Sequence, residues 1–339
     1  SEDELEAAKE LVRRNIITIE RWEGEEKLYI EGVLTSGSRN ARAVIQRDHR
    51  LMTLLECDGK ILEQRDVPEP GEDAPEELTK SLSDVFDFAM KADLSELGFI
   101  LEGARMNLQV ALEGLSGDYG LRVGKSIKRN VERKFLSENL MTYAVELASA
   151  AADARMAGCT LPVMTNSGSG NQGITVSLPV LAVAEKTGAD EQMLHRALVL
   201  SNLAAIHARK GLGRLSALCG AITAGIGASS GIAYLLGGSQ DHVFKAVQNM
   251  VGDLTGMVCD GAKDGCALKV ATVVEAAFRS ALLALDDIEI SGEKGINDMD
   301  VEYSLRNLVR IGSAGMEEAD NMILDIMVRK GRAGAGTDH

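Results

Sequence analysis

The stretch Leu215–Gly238, LSALCGAITAGIGASSGIAYLLGG, decides how the rest of the chain is read. It carries no charged residue over a length that could cross a bilayer. Six glycines and several serines leave it only weakly hydrophobic, and neither Trp nor clustered Lys/Arg anchors its ends. The expectation is a buried, close-packed helix pair and no membrane span. LTKSLSDVFDFAMKA, LSELGFILEGARMNLQVALEGL, ENLMTYAVELASAAADARMAG and DEQMLHRALVLSNLAAIHARKG precede the stretch. DHVFKAVQNMVGDLTGMV, LKVATVVEAAFRSALLALDDI and VEYSLRNLVRIGSAGMEEADNMILDIMVR follow it. Apolar residues recur every three or four positions in each, the mark of amphipathic helices. No proline follows Pro179 to break them. An all-α domain over residues 78–336 is expected, with no repeat at a solenoid period.

Residues 14–64 read differently. NIITIERW, KLYIEGVLTS, NARAVIQRD, LMTLLEC and KILEQ are short, β-branched runs of alternating polarity, separated by GEE, SGSR, DHR and DG. They predict a small antiparallel sheet within an α+β domain over residues 1–70, incomplete at its N-terminus. Pro68, Pro70 and Pro75 then fall in VPEPGEDAPEE, which has the composition of a linker and puts a domain boundary near residues 66–78. The fold class is therefore α+β: a small antiparallel sheet domain followed by a large all-α domain.

Composition narrows the function. With 36 Lys+Arg against 51 Asp+Glu the formal charge is −15, which argues against nucleic acid as a partner. A chain of 339 residues with 45% hydrophobic content can bury a large core, so disorder is excluded as its main state. Five cysteines are too few and odd in number for a disulfide scaffold, and SEDELEAAKELVRRN is an acidic helical start and no signal peptide. Both point to a reducing, cytoplasmic setting.

Two features can carry chemistry. In LPVMTNSGSGNQGITVSLPVL, residues 168–173 satisfy GxGxxG, but no compact strand-helix-strand unit surrounds them, Pro179 interrupts the following helix, and no acid ends a strand about 20 residues on. The Lys of a phosphate-binding P-loop is absent too. A NAD(P)-dependent oxidoreductase is thus disfavoured. What remains is a turn, Asn166, Ser167, Gly168, Ser169, Gly170, Asn171 and Gln172, whose amides and side-chain donors suit a carboxylate or other small anion. The same residues also make an ordinary turn between helices. The second feature is Cys219 together with Cys259 and Cys266 in VCDGAKDGCALKV. Three converging thiolates could hold a cluster or a zinc ion, whereas isolated buried cysteines are small hydrophobes; spacing without a CxxC pair leaves both open.

AGCTLPVMTNSGSGNQGI, HARKGLGRLSALCGAITAGIGASSGIAYLLGG and LTGMVCDGAKDGCALKVAT, in that order, resemble the L-serine dehydratase alpha-chain superfamily, most closely its L-cysteine desulfidase (UPF0597-like) branch. LYIEGVLTSGSRNARAVIQRDH fits the same branch, so the resemblance covers nearly the whole chain. It implies an oxygen-sensitive 4Fe-4S cluster held by Cys219, Cys259 and Cys266 with one iron left open, and a 166–172 loop that contacts the carboxylate of a small L-amino acid. It also implies a β-eliminating lyase that converts L-cysteine to pyruvate, ammonia and sulfide, or L-serine to pyruvate and ammonia. The branch carries a GCTEP-like segment thought to take the α-proton. This sequence has no such segment, so the expectation is a chain lacking its N-terminal quarter, inactive on its own. GCTLP at residues 158–162 belongs to the loop motif and is not that base.

His207, Lys210 and Lys269 are the remaining catalytic candidates, with a solvated, basic helix end as the competing explanation for the first two. Cys57 receives no role, and Cys159, just before the loop, is either close to the site or, the preferred reading, part of the core. The competing function is a non-catalytic metal-binding or small-anion-sensing protein of the same fold. Gly/Ala-rich helices can pack within one chain or across a homo-oligomer, and the sequence leaves that open.

Overall fold

Two tight turns shape the N-terminal sheet in this computed structural model, which describes residues 2–14, 16–24, 26, 28–67, 81–213 and 215–334. β1 (Tyr29–Ser36) folds back on β2 (Arg39–Gln46) at Gly37, and β3 (Met52–Cys57) on β4 (Lys60–Gln64) at Asp58 and Gly59. Asp58 has φ +48° and Gly59 φ +77°, the positive values that a two-residue Asp-Gly hairpin turn requires. The sheet is an antiparallel meander in the order β1-β2-β3-β4. Helix α1 (Glu2–Arg13) precedes it.

NIITIERW does not supply the expected strand, as residues 16–22 form none. Their polar and aromatic side chains are used elsewhere. Arg21 binds Asp325 at 2.8 Å and Asn321 at 2.8 Å on the final helix α12 (Glu317–Gly334), and Trp22 stacks on Tyr29 with ring centroids 4.1 Å apart. Contacts divide the chain into Ser1–Glu76 with Met316–His339, and Glu77–Gly315. The final helix therefore counts with the sheet, whereas its periodicity places it at the end of the helical domain. Pro68, Pro70 and Pro75, read as a linker, lie outside the described residues.

The second unit is built around α8 (Gly220–Leu235), packed against α6 (Gly170–Thr187), α7 (Glu191–Arg209), α9 (Gln240–Leu254) and α10 (Cys266–Leu285). Residues 215–238 thus supply one helix and not a pair. Every residue from Ala221 to Ala233 is buried, the signature of a helix apolar on all sides. Its small residues permit this. A Cβ on Gly227 would stand 2.2 Å from Ser201 O of α7, and one on Gly225 would stand 2.4 Å from Val273 Cγ1 of α10. Among the described residues no helix is long and apolar enough to cross a membrane.

Around this centre run α2 (Leu82–Lys91), α3 (Gly98–Ser116), α4 (Val123–Glu132), α5 (Leu140–Met156) and α11 (Val301–Arg310). α4 has no counterpart in the helical runs read from the sequence. Its first turn is held by the buried Asp153 of α5, whose Oδ2 accepts from Gly124 N–H at 3.1 Å. Pro179 does not interrupt its helix, as the sequence suggested, but sits inside α6. A proline there disturbs the preceding turn, and the Ser201 hydroxyl of α7 donates to Val176 O at 2.7 Å, giving a carbonyl of that turn a partner.

Candidate functional site

The turn before α6 is tight and internally bonded. Asn166 and Ser169 exchange backbone hydrogen bonds at 3.2 and 3.0 Å around Ser167 (φ +49°) and Gly168 (φ +78°). Ser169 then caps α6, its hydroxyl accepting from Gln172 N–H at 3.4 Å. Asn166 is buried and donates to Asn202 Oδ1 at 3.0 Å, which ties the turn to α7. Arg155 packs against Gly170, where an added Cβ would meet its Nε at 2.2 Å, and it donates to Asn171 Oδ1 at 3.2 Å. The loop therefore presents a helix N-terminus, small donors and a guanidinium together, a combination suited to an anion.

Cys219 and Cys259 are brought together by backbone pairing. Cys219 N–H donates to Met257 O at 2.9 Å and Cys259 N–H to Ala217 O at 2.6 Å, so Leu218 and Val258 lie opposite each other in a short antiparallel bridge. Cys219 caps α8 and Cys266 opens α10, with its Sγ 3.7 Å from Gly261 O. Lys269, one turn along α10, donates to Val258 O at 2.7 Å and pairs with Asp260, which fixes the loop between the two cysteines. Burial pushes the Cys219 thiol up. The nearby Cys259 and Cys266 add to this, while Ala221 N–H and Lys269 oppose it.

The loop and the cysteine segment meet at one point. A Cβ on Gly220, the residue after Cys219, would stand 2.7 Å from Gln172 Nε2 and 3.3 Å from Arg209 Nη1. Thr223 Oγ1 adds a 3.3 Å hydrogen bond to Gln172 Oε1. Arg209 lies close enough to Cys219 and Cys259 to interact electrostatically, and burial draws its guanidinium down against their opposing effect. Sequence reasoning singled out its neighbours His207 and Lys210 but not Arg209. His207 bonds Glu302 and Lys210 follows the end of α7, and only the fold shows that Arg209 is the one beside the thiols.

His207 is buried, with Nε2 2.8 Å from Glu302 Oε2 of α11, while Glu302 Oε1 accepts from Leu82 N–H at 2.6 Å. Glu302 thereby joins α11 to α7 and α2. Lys210 is exposed at the end of α7. Cys57 lies in β3, and Cys159 follows α5, its N–H donating to Ala154 O at 3.0 Å. All five cysteines are free.

In donor chemistry the site fits an iron–sulfur cluster: three thiols, two of them at helix N-termini, with Arg209 and Lys269 beside them to offset thiolate charge. Among the described residues no group of three or more His, Cys, Asp or Glu side chains is gathered as a metal ion would need.

Residues 6–325 match the family described as Serine dehydratase alpha chain. The chain belongs to that family. Similar proteins include one from Oleidesulfovibrio alaskensis, 44% identical over 97% of this chain and 77% of its own length. Another, from Bacteroides thetaiotaomicron, is 48% identical over 90% of this chain and 71% of its own. A third, from Clostridium perfringens, is 43% identical over 97% of this chain and 78% of its own. Each is named UPF0597 protein. Membership in the serine dehydratase alpha chain family supports a lyase of that type acting on an amino acid.

Proposed function

We propose that this member of the serine dehydratase alpha chain family is an iron–sulfur-dependent β-eliminating lyase. It converts L-cysteine to pyruvate, ammonia and sulfide, or L-serine to pyruvate and ammonia. The observation that carries the reading is the junction at Gly220, where Gln172 of the anion-binding turn abuts the residue after Cys219. An α-amino acid carries its carboxylate and its β-leaving group only a few bonds apart, so one site must serve both.

Cys219, Cys259 and Cys266 would hold a 4Fe-4S cluster, which when bound supplies an open iron position as a Lewis acid for the departing thiol or hydroxyl. The chain's own contribution is orientation. The N–H groups opening α6, with Ser167, Ser169 and Asn171, hold the carboxylate, and the tight Asn166–Ser169 turn prevents the loop from yielding. Loss of the α-proton and of sulfide or hydroxide leaves aminoacrylate. This tautomerises to the imine, and water releases ammonia and pyruvate. His207 and Lys269 serve as anchors, to Glu302 and to Asp260 with Val258 O respectively, so neither is assigned the α-proton.

Anaerobic reconstitution followed by iron, pyruvate and sulfide assays tests the reading. About four irons per chain with pyruvate release from L-cysteine or L-serine supports it. A reconstituted protein that holds iron and binds small carboxylates, yet turns over neither substrate in its full natural length, refutes the lyase and leaves a sensing role.

A further inference from the structure

We propose that Arg209 receives the carboxylate of the amino-acid substrate, together with the 166–172 turn, between Gln172 and the thiols of Cys219 and Cys259. This rests on the lyase reading and deepens it. The guanidinium is half-buried at the end of α7, and its one hydrogen bond among the described residues is a long one, to Gly213 O at 3.4 Å. A guanidinium has five N–H donors, so most of this one's capacity is unused. No carboxylate of the described residues forms an ion pair with it, in a chain whose net charge is −15. Uncompensated arginine is costly to bury, and a planar fork with free donors matches a carboxylate in two parallel hydrogen bonds.

Position selects the ligand. Arg209 Nη1 and Gln172 Nε2 both crowd the space above Gly220, so the cation stands at the loop and not merely near it. Cys219 precedes Gly220 directly, and Cys259 lies across the backbone bridge from it. A carboxylate held here leaves the β-carbon of the same molecule within reach of whatever the thiols hold. Arg155, over Gly170, already spends donors on Asn171 and on Met156 sulfur. Of the two, Arg209 has the fewer hydrogen bonds and stands beside the thiols.

The test is calorimetric titration of the anaerobically reconstituted protein with L-alanine, which has the carboxylate and amine but no leaving group, and with ethylamine, which lacks the carboxylate. Arg209→Gln should weaken L-alanine binding about ten- to a hundredfold, the loss expected for charge-assisted hydrogen bonds, and leave ethylamine unchanged. Arg209→Lys keeps the charge without the fork and should recover part of the loss. In turnover, KM for L-serine or L-cysteine should rise more than kcat falls. L-Alanine binding within about twofold of wild type in an iron-loaded Arg209→Gln protein overturns the assignment and leaves the lyase reading standing. Loss of iron in Arg209→Gln also overturns it, because the charge then serves the thiols. If Arg209→Gln does not fold, Arg209→Lys alone decides by the same comparison. An iron-loaded wild type that neither binds L-alanine nor turns over either substrate refutes the lyase reading, and this assignment with it.

Discussion

Replacing Glu302 with alanine should destabilise the helical unit by about 2–4 kcal/mol at neutral pH, the cost of losing two hydrogen bonds to a half-buried carboxylate. The structure sets this size. One carboxylate oxygen accepts from Leu82 N–H at 2.6 Å and the other faces His207 Nε2 at 2.8 Å, with the glutamate side chain 21% and the histidine side chain 5% exposed. Each charge-assisted bond contributes about 1.5–3 kcal/mol, and truncation strands a buried imidazole and a helix-end N–H. The pH dependence follows from the same contacts. Burial disfavours the Glu302 carboxylate, but the hydrogen bonds from His207 and Leu82 and the charges of His207 and Arg306 prevail and hold its pKa below the ordinary 4.5. The stabilisation is therefore complete above pH 4.5 and is lost as pH falls through the lower value of the folded state. Urea denaturation followed by circular dichroism, from pH 7 into acid, measures both effects. Glu302→Gln should lose stability less steeply than wild type in that acid window. An alanine variant costing under about 1 kcal/mol at pH 7, or parallel acid slopes for wild type and Glu302→Gln, would refute the account.

Further outcomes follow from the site and the core. Cys219→Ser, Cys259→Ser and Cys266→Ser should each abolish iron retention after anaerobic reconstitution, while Cys57→Ser, in β3, should retain it; colorimetric iron assay separates them. Gly173→Ala places a methyl 1.9 Å from Met164 O, a backbone atom, and should cost at least about 1–3 kcal/mol of stability by denaturant titration. Gly220→Ala meets two side-chain ends, Gln172 Nε2 at 2.7 Å and Arg209 Nη1 at 3.3 Å, and no backbone, so it should cost less stability than Gly173→Ala and raise KM for the amino acid. His207→Gln should lower stability without shifting the pH profile of kcat, since its ring is engaged with Glu302; a displaced profile would return it to the chemistry.

The helices were legible because buried apolar stripes impose a period on the chain. α10 reads plainly in LKVATVVEAAFRSALLALDDI, and four strands emerge from alternation and the Asp58–Gly59 turn. The misreadings have physical causes. NIITIERW has strand composition, but Arg21 and Trp22 spend their side chains on the last helix and on Tyr29. Pro179 reads as a breaker, yet a hydroxyl from the neighbouring α7 bonds the helix turn before it. α4 is short, and its first turn is capped by Asp153, far along the chain.

By itself the sequence determined the class of the protein. Its periodicities, its acidic composition and three motifs in order specify a sheet-bearing unit, a large helical unit and the family, since local pattern and residue type are written directly in the chain. The tertiary structure alone decided which residues share a site. The backbone bridge between Ala217–Cys219 and Met257–Cys259, the contact of Gln172 with Gly220, and the choice of Arg209 over His207 are long-range facts. They depend on how α6, α7 and α8 pack, and no local pattern encodes the direction in which a side chain points once helices meet.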